Sequence, residues 1–180
     1  MNRKGQGFCV WLTGLSGAGK STIAAALDQE FRGLGREVVV FDGDAVRSRI
    51  STDLGFTRED RDANVARVAV KAAEVVNGSG IAICALMSPY TASRNRARDL
   101  IRPDRFVLVY VATPFEVCER RDVKGLYAKA RQGQLRHFVG LDEPYEPPLD
   151  ADARVDTSTG SVDTHMRTIL DVLIHRSIEL

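Results

Sequence analysis

Short uninterrupted apolar runs alternate along this chain with longer stretches in which apolar residues return every third or fourth position. Phe8-Cys9-Val10-Trp11-Leu12 has no polar member, as a strand buried on both faces requires. Ile23, Leu27, Phe31 and Leu34 then fall on one helical face, and Gly33 and Gly35 predict where that helix ends. Residues 37–41 predict a second buried strand, which runs straight into Asp42-Gly43-Asp44. Thr57-Arg58-Glu59-Asp60 has the form of a capping box and opens a long helix. Within it Val65, Val68, Ala69, Ala72, Val75 and Val76 keep the i, i+3, i+4, i+7 rhythm, and Asn77-Gly78-Ser79-Gly80 stops it. Strands are predicted again over 81–87 and 106–111, separated by Ser88-Pro89-Tyr90 and a basic helix to about Ile101. Pro114 suits the start of the following helix, which carries Val117 and Cys118. Over 122–148 the periodicity is lost to Gly, Pro and charge. A weak strand over 153–156 precedes a last amphipathic helix from Ser161, with Val162, Met166, Ile169, Leu170 and Leu173 inward.

Strands alternating with helices predict an α/β fold: one parallel sheet with helices on both faces. A chain of 180 residues is expected to be a single domain, 1–180, with a sizeable core. Ligands of such sheets bind beyond the carboxyl ends of the strands. Each conspicuous polar cluster follows a strand, so all should meet in one cleft.

The most specific cluster follows the first strand. Gly14-Leu15-Ser16-Gly17-Ala18-Gly19-Lys20-Ser21 fills every fixed position of G-x-x-x-x-G-K-[ST], the phosphate-binding P-loop. Glycine makes up about 7% of average composition, so a chance match in a chain this long is about one in a hundred or rarer. The glycines let backbone N–H groups turn inward around a phosphate, and the helix that follows adds partial positive charge. By this motif Lys20 reaches the β- and γ-phosphates of a nucleotide such as ATP, and Ser21 takes a place on Mg²⁺. The fold expected is thus a P-loop NTPase-type domain.

Charge and cysteine content narrow the class. Lys and Arg number 25 against 24 Asp and Glu, a formal net charge of +1, so no polyanion-coating role follows and no nucleic-acid partner is expected. Cys9, Cys84 and Cys118 are odd in number and far apart, which suits buried thiols in a reducing compartment. Arg3 and Lys4 precede an apolar run, but the Gly-rich loop follows within a few residues, too soon for a signal peptide or a membrane span. A cytoplasmic protein with no membrane partner is the expectation.

Other residues suit phosphoryl chemistry with varying specificity. Asp42 and Asp44 can hold Mg²⁺ or orient and deprotonate an attacking hydroxyl; Asp44 also suits a helix N-cap. Arg47, Arg61 and Asn64 lie close after them, Arg61 and Asn64 three apart on one helical face. They are either anion-binding forks or a solvated helix face. Arg120, Arg121, Lys124, Lys129, Arg131 and Arg136, with Gly125 and Gly133 as hinges, suit a basic lid over about 122–140 that closes on phosphates. Such crowded cations are expected to need phosphates to neutralise them. No histidine stands near Ser88 in sequence, since His137, His165 and His175 all lie far along the chain.

These motifs, taken together and in order, resemble one family. Gly14-Leu-Ser-Gly-Ala-Gly-Lys-Ser-Thr22, Asp42-Gly-Asp-Ala-Val-Arg47, Leu54-Gly-Phe56, Asp60-Arg61-Asp-Ala-Asn64, Ser88-Pro-Tyr90, Arg121-Asp-Val-Lys-Gly-Leu-Tyr127 and Phe138-Val-Gly-Leu-Asp142 follow the pattern of the adenylylsulfate kinases across almost the whole chain. The resemblance implies MgATP-dependent phosphorylation of adenylylsulfate at the ribose 3′-hydroxyl, giving 3′-phosphoadenylylsulfate in sulfate activation. It implies a catalytic set of Lys20, Asp44, Ser88 and Lys124, with Ser21 and Asp44 at the metal. Residues 14–22 (Gly14, Leu15, Ser16, Gly17, Ala18, Gly19, Lys20, Ser21 and Thr22) and Arg121 would hold ATP. Asp42, Asp44, Arg47, Arg61, Asn64, Met87, Ser88 and Lys124 would face the acceptor, with Phe56 and Phe138 sandwiching its adenine. The serine of Ser-Pro-Tyr is proposed in the family as a phosphoenzyme, but a serine without a neighbouring base is a weak nucleophile, so direct in-line transfer is the expectation. A homodimer and a functional link to an ATP sulfurylase are carried as further expectations.

The pattern is departed from twice. The family usually has Glu where Ala63 stands, and a Ser-Phe-Ile-like run where Ala85, Leu86 and Met87 precede Ser88. Two other readings share the P-loop: a nucleoside or sugar kinase, and a GTP-dependent switch. Against the switch, a guanine-reading Asn-Lys-x-Asp is absent, and Asp122-Val-Lys-Gly125 comes too late to be a switch segment.

Overall fold

The computed structural model describes residues 5–180, so Arg3 and Lys4 lie outside the described residues. The strands are β1 (Phe8–Thr13), β2 (Val38–Asp42), β3 (Ile81–Ala85), β4 (Phe106–Val111) and β5 (Ala153–Val155). The α-helices are α1 (Lys20–Gly33), α2 (Gly43–Arg49), α3 (Arg58–Asn77), α4 (Thr91–Ile101), α5 (Phe115–Arg121), α6 (Leu126–Arg131) and α7 (Val162–His175). All strand pairs are parallel, in the order β2-β3-β1-β4-β5. β1 therefore has a neighbour on each side and helices on each face, which is why all six of its residues are buried.

The alternation of its side chains divides the core in two. Phe8, Val10 and Leu12 pack with Ile23, Leu27 and Phe31 of α1 and Ile169 and Leu173 of α7. Cys9 and Trp11 point to the other face, against Val65, Val68 and Ala72 of α3 and Ala97 and Ile101 of α4. The capping box forms as the sequence predicts, with the Thr57 hydroxyl accepting from the Asp60 N–H and the Asp60 carboxylate accepting from the Thr57 N–H.

Several local expectations are corrected. β2 is an edge strand, so Val39 and Val40, one on each face, stay 37% exposed, while Val38 enters the core on one side of the sheet and Phe41 on the other. Leu34 is the exposed C-cap of α1 rather than part of its inward face, and Val162 is exposed at the first turn of α7. β3 stops at Ala85 because the chain turns away there: Ser88 sits at φ 37°, and the Thr13 hydroxyl donates to the Met87 carbonyl at 2.6 Å. Two short helices, α2 and α6, were not legible. Asp42, not Asp44, is the N-cap of α2. Gly125 and Gly133, both at positive φ, bracket α6 inside the segment expected to lack regular structure.

Candidate active site

The P-loop spans the gap between the end of β1 and the start of α1. Gly14 has φ 153°, and a Cβ there would lie 2.5 Å from the Val111 carbonyl oxygen, so no side chain fits where the loop crosses β4. Lys20 is folded onto its own loop, its Nζ donating to the carbonyls of Gly14 (2.9 Å) and Leu15 (2.8 Å). Burial pushes the Lys20 ammonium down to about 8, with Cys118 acting in the opposite direction and Lys124 adding to the fall. Gly14, Leu15 and Ala18 shape the loop without lining the cleft, whereas Ser16, Gly17, Gly19, Lys20, Ser21 and Thr22 line it.

Two side-chain pairs stand beside the loop. The Ser21 hydroxyl donates to Asp42 Oδ2 at 2.5 Å, and Asp44 is paired with Lys124 across eighty positions of sequence. Among the described residues no set of three His, Cys, Asp or Glu side chains is arranged to hold a metal. Ser21 with Asp42 and Asp44 still suits Mg²⁺, which keeps several waters and takes only one or two carboxylates besides phosphate oxygens.

The other arm of the cleft is built from α3 and the chain beyond β3. Arg61 donates from Nε to the Phe56 carbonyl (3.1 Å) and from Nη2 to the His137 carbonyl (2.8 Å), which ties α3 to the 122–140 segment. Arg47 donates to the Gly55 carbonyl at 2.6 Å and lies 4.5 Å from the Phe56 ring centroid. Burial lowers both guanidinium groups from the usual arginine range, and the Arg47 charge adds to that at Arg61. The solvated-face alternative is thus excluded for Arg61, which is buried. Asn64 is buried, and its Oδ1 has no partner among the described residues. Phe56 is 52% exposed, but Phe138 is buried, edge-on to Tyr127 with centroids 4.9 Å apart. Phe138 thus lines the cleft while also packing in the core.

Ser88 is buried and held by three side chains. Trp11 Nε1 donates to its hydroxyl oxygen at 3.1 Å; Arg94 (2.8 Å) and Thr13 (3.3 Å) donate to its carbonyl. Thr13 also grips the preceding Met87 carbonyl. No histidine bonds it among the described residues, although His137 and His165 do line the same cleft. Of the two departures from the family pattern, Leu86 is buried beside Met87 in the cleft wall, and Ala63 is only half-buried.

The basic segment is fastened rather than loose. Lys124 is paired with Asp44, and Arg131 with Glu119 at 2.8 Å, so carboxylates already neutralise part of its charge without phosphate. Arg121 donates to the Gly17 carbonyl (3.2 Å) and twice to Thr157. Sequence reasoning missed two supports of the P-loop. Tyr127, whose phenol burial holds protonated, donates to the Ser16 carbonyl at 2.8 Å. Thr157 donates to the Ala18 carbonyl at 2.8 Å. Tyr127 closes the Arg121-to-Tyr127 motif, which says nothing of a contact 111 positions away, and Thr157 has no motif around it.

Lys20, Ser21, Asp42, Asp44, Arg61 and Ser88 line one cleft of about 1030 Å³ at the carboxyl ends of the strands. A P-loop lysine and hydroxyl facing carboxylates, on this parallel sheet and under a cationic segment, define the P-loop kinases. The particular family follows from likeness. The family model of adenylylsulphate kinase matches residues 6–156, and the chain belongs to that family. It is 43% identical over 171 residues to an adenylyl-sulfate kinase of Halothermothrix orenii, covering 95% of this chain and 91% of that one. It is 45% identical to an adenylyl-sulfate kinase of Pseudomonas entomophila, covering 94% and 81%. The structure of the Mycobacterium tuberculosis APS kinase CysC in complex with AMPPNP and APS superposes with a TM-score of 0.89 at 37% identity, covering 94% and 99%. Among the described residues no helix is long and apolar enough to cross a membrane.

Proposed function

We propose that this chain transfers the γ-phosphoryl group of ATP to the 3′-hydroxyl of adenylylsulfate, forming 3′-phosphoadenylylsulfate. The observation that carries this is the shared cleft: the P-loop lines one arm, and Arg61, Asn64, Phe56 and Ser88 line the other. The 3′-oxygen attacks the γ-phosphorus, the bond to the β–γ bridging oxygen breaks, and Asp44 takes the hydroxyl proton. Lys20 turns from the Gly14 and Leu15 carbonyls to the phosphate oxygens, and Lys124 moves from Asp44 to the transferring group. Ser21, Asp42 and Asp44 would hold Mg²⁺, which when bound neutralises charge on the β- and γ-phosphates. Arg47 and Arg61 pair with the phosphosulfate, and Phe56 covers the acceptor adenine. The chain works as one domain, in the cytoplasm, where its three buried thiols stay reduced.

The direct test offers adenylylsulfate with ATP or GTP. ATP-dependent formation of a 3′-phosphorylated product is expected; turnover of a nucleoside or sugar but not of adenylylsulfate would overturn the proposal. Phe56 is a better probe of the adenine than Phe138, whose truncation would also open the core at about 3–5 kcal/mol. Aromatic–base stacking contributes about 1–3 kcal/mol in single-stranded nucleic-acid complexes, taken here as the scale. Phe56→Ala should therefore raise the KM for adenylylsulfate about 5- to 150-fold and leave that for ATP unchanged. Equal effects on both would remove Phe56 from the acceptor pocket.

Ser88 acts as a hydrogen-bond donor to the acceptor, not as a phosphoryl carrier. Its oxygen already accepts from Trp11, which leaves the hydroxyl proton for a ligand and lowers its nucleophilicity. Ser88→Ala is expected to keep measurable turnover at saturating substrates. A trapped phosphoserine in the wild type, with Ser88→Ala as inert as a Lys20 variant, would show the relay instead.

Residues 122–140 act as a lid that tightens on nucleotide. Its hinges are Gly125 and Gly133, and its contacts to Asp44 and Ser16 are ones a nucleotide would remodel. Hydrogen exchange across this segment should slow on adding ADP; identical exchange with and without ADP would refute the lid.

A further inference from the structure

We propose that Arg94, on α4, is a positioning residue: its buried guanidinium, together with the Tyr145 phenol, fixes the Ser88 peptide so that the Ser88 hydroxyl meets the acceptor. This deepens the reading of Ser88 as a donor to the acceptor and rests on it.

Ser88 stands at φ 37°, a backbone conformation that a residue with a Cβ keeps only where its surroundings impose it. Arg94 supplies one constraint. It is 2% exposed, and it bonds two carbonyls and a hydroxyl rather than a carboxylate. Its Nη1 donates to the Ser88 carbonyl at 2.8 Å. Its Nη2 donates to the Glu146 carbonyl at 2.7 Å and to the Thr91 hydroxyl at 3.0 Å. Burial lowers this guanidinium from the usual arginine range, so the charge is kept here against a desolvation cost. A planar fork of donors suits the task, because it meets carbonyls of two separate chain segments at once.

The same segment, 145–146, grips the Ser88 turn through further bonds. The Glu146 N–H donates to the Pro89 carbonyl at 2.9 Å, and the Glu146 carboxylate accepts from the Thr91 N–H at 2.7 Å. The Tyr145 phenol lies 2.9 Å from the Thr13 hydroxyl. Thr13 gives its own proton to the Met87 and Ser88 carbonyls, so Tyr145 is the donor of that pair. Burial raises the Tyr145 phenol above its ordinary range and keeps that proton in place. Neither Arg94 nor Tyr145 lines the cleft, so each acts through the Ser88 peptide. Trp11 already donates to the Ser88 oxygen. With the peptide fixed, the hydroxyl proton is what remains for a ligand.

The test is a double-mutant cycle read in steady-state kinetics. Arg94→Met should raise the KM for adenylylsulfate about tenfold, the upper worth of one hydrogen bond, and leave the KM for ATP unchanged. Arg94→Lys, which keeps the charge without the fork, should recover part of the loss. In a Ser88→Ala background, Arg94→Met should raise the acceptor KM less than about twofold, because both changes remove one and the same contact. A merely structural role would instead add its full effect to Ser88→Ala. An unchanged acceptor KM in folded Arg94→Met, an equal rise in the KM for ATP, or full additivity with Ser88→Ala would each overturn the proposal. Should Arg94→Met not fold, Tyr145→Phe keeps the ring that stacks on Tyr110 and removes only the phenol oxygen. It should raise the acceptor KM about threefold in the wild type and not in Ser88→Ala; no rise, or one that persists, overturns the proposal. Wild-type acceptor kinetics in Ser88→Ala would overturn the Ser88 reading itself, whereas additivity overturns only the positioning.

Discussion

Lys20→Ala is expected to lower kcat by about 10³-fold or more while the fold stays intact. Phosphoryl transfer asks the protein for position and charge, and losing one preorganised donor to a developing oxyanion typically costs 10²–10³ in rate, here about 10³ because Lys20 is a full charge. The variant should also be no less stable than the wild type near neutral pH. Burial sets the Lys20 ammonium at about 8 against an ordinary 10.5, so its charge is a standing cost in the free protein. Between these two values the unfolded chain holds the proton that the folded chain has released, so stability of the free protein should rise with pH across that window. Phosphate oxygens favour the charged form, so nucleotide affinity should fall as pH rises above 8, and Lys20→Ala should lose that slope. A folded Lys20→Ala enzyme with near-normal turnover would end the P-loop assignment.

Asp44→Asn should lower kcat/KM by about 10²- to 10⁴-fold, the usual worth of a positioned general base. Asparagine keeps the shape and an acceptor oxygen but can neither take the hydroxyl proton nor balance Lys124. Asp44 is largely exposed, and exposed pairs contribute about 0–1 kcal/mol, so the melting temperature should barely move. ADP affinity should stay within a few-fold, since Asp42 keeps its bond to Ser21. Activity within a few-fold of wild type would show that the acceptor hydroxyl needs no carboxylate here, and that Asp44 serves only to park Lys124.

The features legible in the sequence are those written within about one helical turn or one strand. The P-loop spacing, the Thr57–Asp60 capping box, the apolar rhythm of α3 and the continuous run of β1 each depend on neighbours in sequence, and each stands where it was expected. So does the convergence of the polar clusters, because a parallel sheet carries every βα turn to one edge. The tertiary structure alone decided what each side chain meets across the cleft. Asp44 and Lys124 are 80 positions apart, Ser16 and Tyr127 are 111 apart, and Ala18 and Thr157 are 139 apart. No local pattern encodes such pairs. Phe138 reads in sequence as one of two equivalent rings, yet packing against Tyr127 makes it core, while Phe56 stays in reach of solvent. His165 stands in sequence only as a histidine far from Ser88, within the last helix. Folding buries its Nε2 with no partner among the described residues, because satisfaction of a polar atom is a property of the whole packed surface around it.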